Sequence, residues 1–90
     1  MIYADHAATT KMSAEAMAAM VKGWEVYGNP SSLHRMGLEA SHLLEDSRRT
    51  VASALGCLPE EVYFTACGTE ADNWAVTAAC WQNRHLGRHI

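Results

Sequence analysis

The sequence predicts a mostly helical unit carrying one or two short β-strands. Two observations lead there. Three long segments repeat apolar residues at three- and four-residue spacing between capping and breaking residues. One run, Glu61-Val62-Tyr63-Phe64-Thr65-Ala66, groups β-branched and aromatic side chains as strands do.

In chain order, Ile2-Tyr3-Ala4 suits a short extended segment, and Asp5-His6-Ala7-Ala8-Thr9-Thr10 a loop of small and hydroxyl residues. Ser13 fits an N-cap for a first helix over about 14–27, with Met17, Met20, Val21 and Trp24 in helical register. Gly28 suits its C-cap, and Pro30 cannot continue the hydrogen-bond ladder. A second helix is expected over about 33–55, with Leu33, Met36, Ala40, Leu43, Leu44, Val51, Ala54 and Leu55 on one stripe. Glu39, Glu45, Asp46, Arg48 and Arg49 fall on other faces and read most simply as solvated surface. Gly56 closes that helix and Pro59 follows. The strand candidate, 61–66, leads into a third helix from Thr69 to about Arg84. Trp74, Ala75, Val76, Ala78, Ala79, Cys80 and Trp81 make this helix apolar nearly all round, which predicts burial on more than one side. Gly87 ends it, and His89-Ile90 looks like the start of another strand. A lone strand beside a helix of that kind leaves backbone groups and apolar surface in need of a partner.

Ninety residues make at most one small domain. With 49% apolar and 19% charged residues the composition is that of a globular chain, not a disordered one. The net charge of −3 gives no pull toward nucleic acid or an anionic membrane. No apolar run reaches bilayer length, and the expectation is a soluble cytoplasmic protein. Cys57, Cys67 and Cys80 are an odd number without a CxxC pair, so they read as reduced thiols. His85 and His89 share helical spacing, but Gly87 lies between them and no third ligand is near, so no metal site is expected.

Chemistry concentrates at Ala66-Cys67-Gly68-Thr69. Small residues between a strand and a helix let main-chain amides approach an anion, and the first turn of the helix adds unpaired N–H groups and partial positive charge. On this basis Gly68 and Thr69 are candidate phosphate contacts. The alternative is an ordinary strand-to-helix turn with Thr69 as cap. Glu70 and Asp72 favour a helix start in either case. Cys67, a thiol at a helix N-terminus, is also a candidate nucleophile.

Three blocks in order, "ADHAATT" at 4–10, "GNPSSLH" at 28–34 and "FTACGTEADN" at 64–73, resemble the N-terminal region of cysteine desulfurases. These are pyridoxal phosphate (PLP) enzymes of the aminotransferase class V group. The long helix between the second and third blocks and the closing "GRHI" match as well, so the resemblance spans essentially the whole chain. His6 stands where the family usually has Asn, Lys11 where it has Pro, and Ala66-Cys67 where Ser-Gly is common.

The resemblance implies the N-terminal portion of an α/β PLP-dependent transferase of fold type I. Residues 1–12 would be a loop segment and 13–90 the incomplete start of the large domain. It implies that Gly68 and Thr69, with Cys67 beside them, hold the cofactor phosphate. The loop of His6, Ala7, Ala8, Thr9 and Thr10 would line the substrate side. "GNPSSLH" would be structural: Asn29-Pro30 sets the bend, Ser31 or Ser32 caps the long helix, and His34 lies on the surface. The implied activity transfers sulfur from L-cysteine to an enzyme thiolate, leaving L-alanine and a persulfide that supplies iron–sulfur clusters or thiolated tRNA. Implied partners are L-cysteine, a sulfur-acceptor protein and a second copy of the chain. In the family, the Schiff-base lysine, the carboxylate on the cofactor nitrogen and the persulfide-forming cysteine lie beyond the matched region. Lys11 and Lys22 sit in neither context, so no catalytic residue is expected here. The chain reads as a fragment, inactive alone; a non-catalytic helical scaffold, or another class V enzyme such as a selenocysteine lyase, are the rival expectations.

Overall fold

The computed structural model of the chain describes residues 1–89, so the strand expected at His89-Ile90 lies partly outside the described residues. The elements run α1 (Ala14–Trp24), α2 (Arg35–Leu55), a short 3-10 turn (Pro59–Glu61) and α3 (Gly68–Asn83).

Helices α1 and α2 begin where a side chain can satisfy a free amide of the first turn. Ser13, in extended backbone, accepts from the Ala16 amide at 3.1 Å and opens α1. This helix ends three residues short of the expected 27. Its last amides tighten to i−3 partners, Glu25 on Lys22 and Val26 on Gly23, and Gly23 weakens the final turn. The α2 helix opens on His34, whose Nδ1 accepts from the Gly37 amide at 3.3 Å. Ser31 and Ser32 do not cap it. Their amides are held by Asn29 instead, through its Oδ1 and its carbonyl, both at 2.9 Å. At its far end α2 closes on Gly56 in the left-handed region (φ 70°), with the Cys57 amide returning to the Ala52 carbonyl.

Gly28 acts differently from the expected C-cap. Its backbone lies so close to the first turn of α2 that an added Cβ would collide with the Met36 carbonyl. Gly37 is its counterpart on the helix, buried, with Ser32 and Asn29 where its side chain would be. Two glycines thus let the 28–34 loop press onto the start of α2.

The expected β-strands are absent: among the described residues there is no strand at all, and the fold is three helices. Residue type does set extended backbone at the start of the 61–66 run, with Val62 at φ −102°, ψ 121°. A strand also needs a neighbour within hydrogen-bond reach along its length. None of the described residues offers one to 61–66 or to 2–4, so Glu61 closes the 3-10 turn while 62–66 and 2–4 form no strand.

Packing between elements is correspondingly thin, and its main contact sets the C-terminal half of α2 against the 3-10 turn. Buried apolar side chains are Ala40 and Ala52. The radius of gyration is 17.6 Å, against about 12 Å for a compact chain of this length. The accessible surface is 8249 Å², against about 5,200 Å² for a folded monomer of this mass. The apolar stripes of α1 and α3 are formed but not covered. Among the described residues no helix is long and apolar enough to cross a membrane.

Candidate functional site

The candidate anion loop is built by the approach to α3. Thr65 donates its hydroxyl to the Cys67 carbonyl at 3.1 Å, which tightens the turn over Ala66. Cys67 is fully extended (φ −162°, ψ 169°) and stands at the N-cap, without a side-chain capping bond. Its carbonyl accepts the Ala71 amide at 3.2 Å, the first bond of the helix. Thr69, the cap of the alternative reading, is instead the second helical residue.

That arrangement decides where the amides go. Those of Gly68, Thr69 and Glu70 precede the first intrahelical bond and have no acceptor among the described residues. A Cβ placed on Gly68 would meet nothing within 4 Å, and Gly68, Thr69 and Glu70 are all exposed. Glu70 reaches back and its carboxylate accepts the Ala66 amide at 2.8 Å. It thereby occupies the amide preceding Cys67 and leaves those of the first turn free. Asn73 adds a bond from its side-chain amide to the Thr69 carbonyl at 2.8 Å. The result is three exposed N–H groups, a hydroxyl at Thr69 and the positive end of a sixteen-residue helix. Unpaired donors of this kind at a helix N-terminus are the groups that suit an oxyanion, and the Glu70 carboxylate of the loop is engaged with the Ala66 amide.

Upstream, the extended segment feeding this loop is gripped by Arg48 of α2. Its Nη1 donates to the Val62 carbonyl, its Nε lies 3.2 Å from Glu45, and its guanidinium stands 5.1 Å from the centroid of the Phe64 ring. Its side chain is 21% exposed, against 69% for the neighbouring Arg49. Arg48 is therefore no solvated helix charge. Helical register alone could not separate the two arginines, because what buries Arg48 is the return of residues 59–64 across α2.

The second predicted cluster, His6 to Thr10, forms a turn of its own. The Tyr3 hydroxyl donates to the carbonyls of Asp5 and Thr9 at 2.9 and 2.8 Å. The Asp5 carbonyl also takes the amides of Ala8 and Thr9. Thr10 donates to the His6 carbonyl and lies 3.3 Å from His6 Nδ1, while the Tyr3 and His6 rings meet edge to face at 5.0 Å. Ala7 and Ala8 are exposed at the tip. Among the described residues no hydrogen bond joins this turn to the 64–70 loop. Among them, too, no three His, Cys, Asp or Glu residues are grouped as metal ligands.

Comparison with known proteins adds the family. Residues 2–90 match the family model described as Aminotransferase class-V. The chain belongs to that family. It is 46% identical over its whole length to a NifS/IcsS protein homolog of Lactobacillus delbrueckii subsp. bulgaricus. It is 41% identical over 99% of its length to a cysteine desulfurase IscS of Methanosarcina thermophila. It is 46% identical, again over 99%, to an IscS-like cysteine desulfurase of Mycobacterium tuberculosis. The chain spans only 22–24% of the length of these relatives. No solved structure matches it.

Proposed function

We propose that these residues form the phosphate end of the cofactor pocket of a PLP-dependent cysteine desulfurase, as the opening part of its large domain, in the cytoplasm. The observation that carries this is the set of amides at Gly68, Thr69 and Glu70, left without acceptors behind the extended Cys67. The class-V match and the relatives named cysteine desulfurase supply the identity of the anion.

In this role the Gly68 and Thr69 amides and the Thr69 hydroxyl hold the phosphate, and the α3 dipole adds to their attraction. Cys67 lends its extended backbone, which aims the first-turn amides outward, and not its thiol. Glu70 keeps the loop closed on its helix side through Ala66. The turn at His6, Ala7, Ala8 and Thr9, stiffened by Tyr3, flanks the substrate. When bound, PLP supplies an electron sink for bond cleavage at the carbon skeleton of an amino acid. The substrate is L-cysteine, the product L-alanine, and the sulfur passes as a persulfide to an acceptor protein. The lysine and thiolate for that chemistry come from outside these residues, and the working enzyme is a homodimer.

Complementation tests this. A cysteine desulfurase lacking the segment that matches this chain is mixed with the chain and L-cysteine. With PLP and an added dithiol reductant to release the persulfide sulfur, alanine and sulfide should form only in the mixture. Thr69→Val should cut the yield at limiting PLP by about tenfold, the loss expected for one charge-assisted hydrogen bond. A mixture that associates without producing alanine would overturn the proposal.

A further inference from the structure

We infer that Arg48 is the positioning residue of the anion loop, setting the register at which the amides of Gly68 and Thr69 are presented. Three contacts carry this. The guanidinium donates to the Val62 carbonyl, lies over the Phe64 ring, and is itself fixed by Glu45 one helical turn earlier. Val62 and Phe64 are the last residues anchored from outside before the loop turns on its own bonds, Thr65 to Cys67 and Ala66 to Glu70. Without a sheet neighbour, the segment 62–64 has no ladder to hold it. The planar fork of Arg48 takes over that part, with separate donors directed at a carboxylate and a carbonyl. Lysine, with a single compact donor group, cannot span both partners and face the ring.

The chain is thus clamped on both sides of the cup. Arg48 fixes the incoming segment against α2, and Glu70 fixes the outgoing turn against α3. Sliding the incoming segment rotates Cys67 and with it the first-turn amides. Resting as it does on the phosphate cup proposed above, this role bears on phosphate binding and not on the chemistry of any bound group.

The test compares the full chain with Arg48→Met, Arg48→Lys and, as a surface control, Arg49→Met. Two readouts are taken. One is amide hydrogen exchange, peptide by peptide. The other is the preference for pyridoxine 5′-phosphate over pyridoxine, two ligands that lack the aldehyde and so cannot react with Lys11 or Lys22. Arg48→Met should speed exchange across 62–69 while leaving α1 unchanged, and should lower the phosphate preference by about tenfold. Arg48→Lys should restore little of either, and Arg49→Met should match the parent chain. Faster exchange everywhere would mark Arg48 as a general stabiliser and overturn the inference. An unchanged preference in Arg48→Met, beside a clear one in the parent, would overturn the role of Arg48 alone. A parent chain with no preference would overturn the cup itself, and the inference with it.

Discussion

At the scale of single residues, the positions that matter most are those where backbone meets backbone. Gly37 is buried with the Asn29 carbonyl 2.8 Å from where a Cβ would stand, and the Ser32 carbonyl closer still. Neither atom can rotate away, since both belong to main chain held by the Asn29 turn. Gly37→Ala should therefore destabilise by about 1–3 kcal/mol, the usual cost of overpacking. Thermal unfolding would show it as a lowered midpoint. Gly68→Ala makes the contrast: its site is open, so stability should hold within about 0.5 kcal/mol. His34 is a second such position. Its ring nitrogen is the acceptor that opens α2, so His34→Ala should cost about 1 kcal/mol, while His34→Asn should retain most of the stability. The resemblance implied Ser31 or Ser32 as the cap. The turn at Asn29 consumes both serine amides and carries those residues away from the helix start. Arg48 was hidden for a related reason. Beside Arg49 it is one of two equal charges, and only the path of residues 59–64 distinguishes them.

At the scale of elements, what was legible is what each segment decides for itself. Ser13 as cap of α1, Gly56 as the left-handed close of α2, and the start of α3 within one residue all follow from local chemistry. The strand at 61–66 was not legible in that sense. Val62 does take extended backbone, but a ladder is a property of two segments, and the described residues give this run no neighbour. The cap of α1 also makes a prediction about pH. Glu15 is held below the ordinary carboxylate value, first by its backbone hydrogen bond and then by Ser13. A carboxylate favoured in the folded helix stabilises it above the ordinary range, and that support is lost as pH falls through the lowered folded value. Circular dichroism should show α1 helicity steady above about pH 5 and declining below about pH 4. Glu15→Gln should remove that portion of the pH dependence, and Ser13→Ala should reduce it while weakening the helix throughout.

At the scale of the whole molecule, the surface is the dominant fact. The chain exposes about 3,000 Å² more than a folded monomer of its mass. Large apolar side chains on formed helices are part of it: Trp24 is 72% exposed, Trp74 50% and Trp81 71%. Local chemistry shapes these helices, but it leaves their stripes facing water, which costs roughly 25 cal/mol for each Å² of apolar area not removed. A relative four times longer has chain to spare for covering them; these residues alone have each other. Either a second copy or the complementing polypeptide of the proposed enzyme should therefore be drawn onto α1 and α3. Tryptophan emission reads this directly, since all three indoles lie on the uncovered faces. Dilute chain should emit as solvent-exposed tryptophan. The emission should shift to the blue with rising concentration as copies associate, and further on adding the complementing polypeptide. Replacing Trp81 with Glu, on the far end of α3 from the anion loop, should weaken both shifts while leaving exchange at 62–69 unchanged. Emission that is already blue-shifted at high dilution, from a particle of monomer size, would mean that the helices close on one another in solution, and that α1 and α3 need no partner.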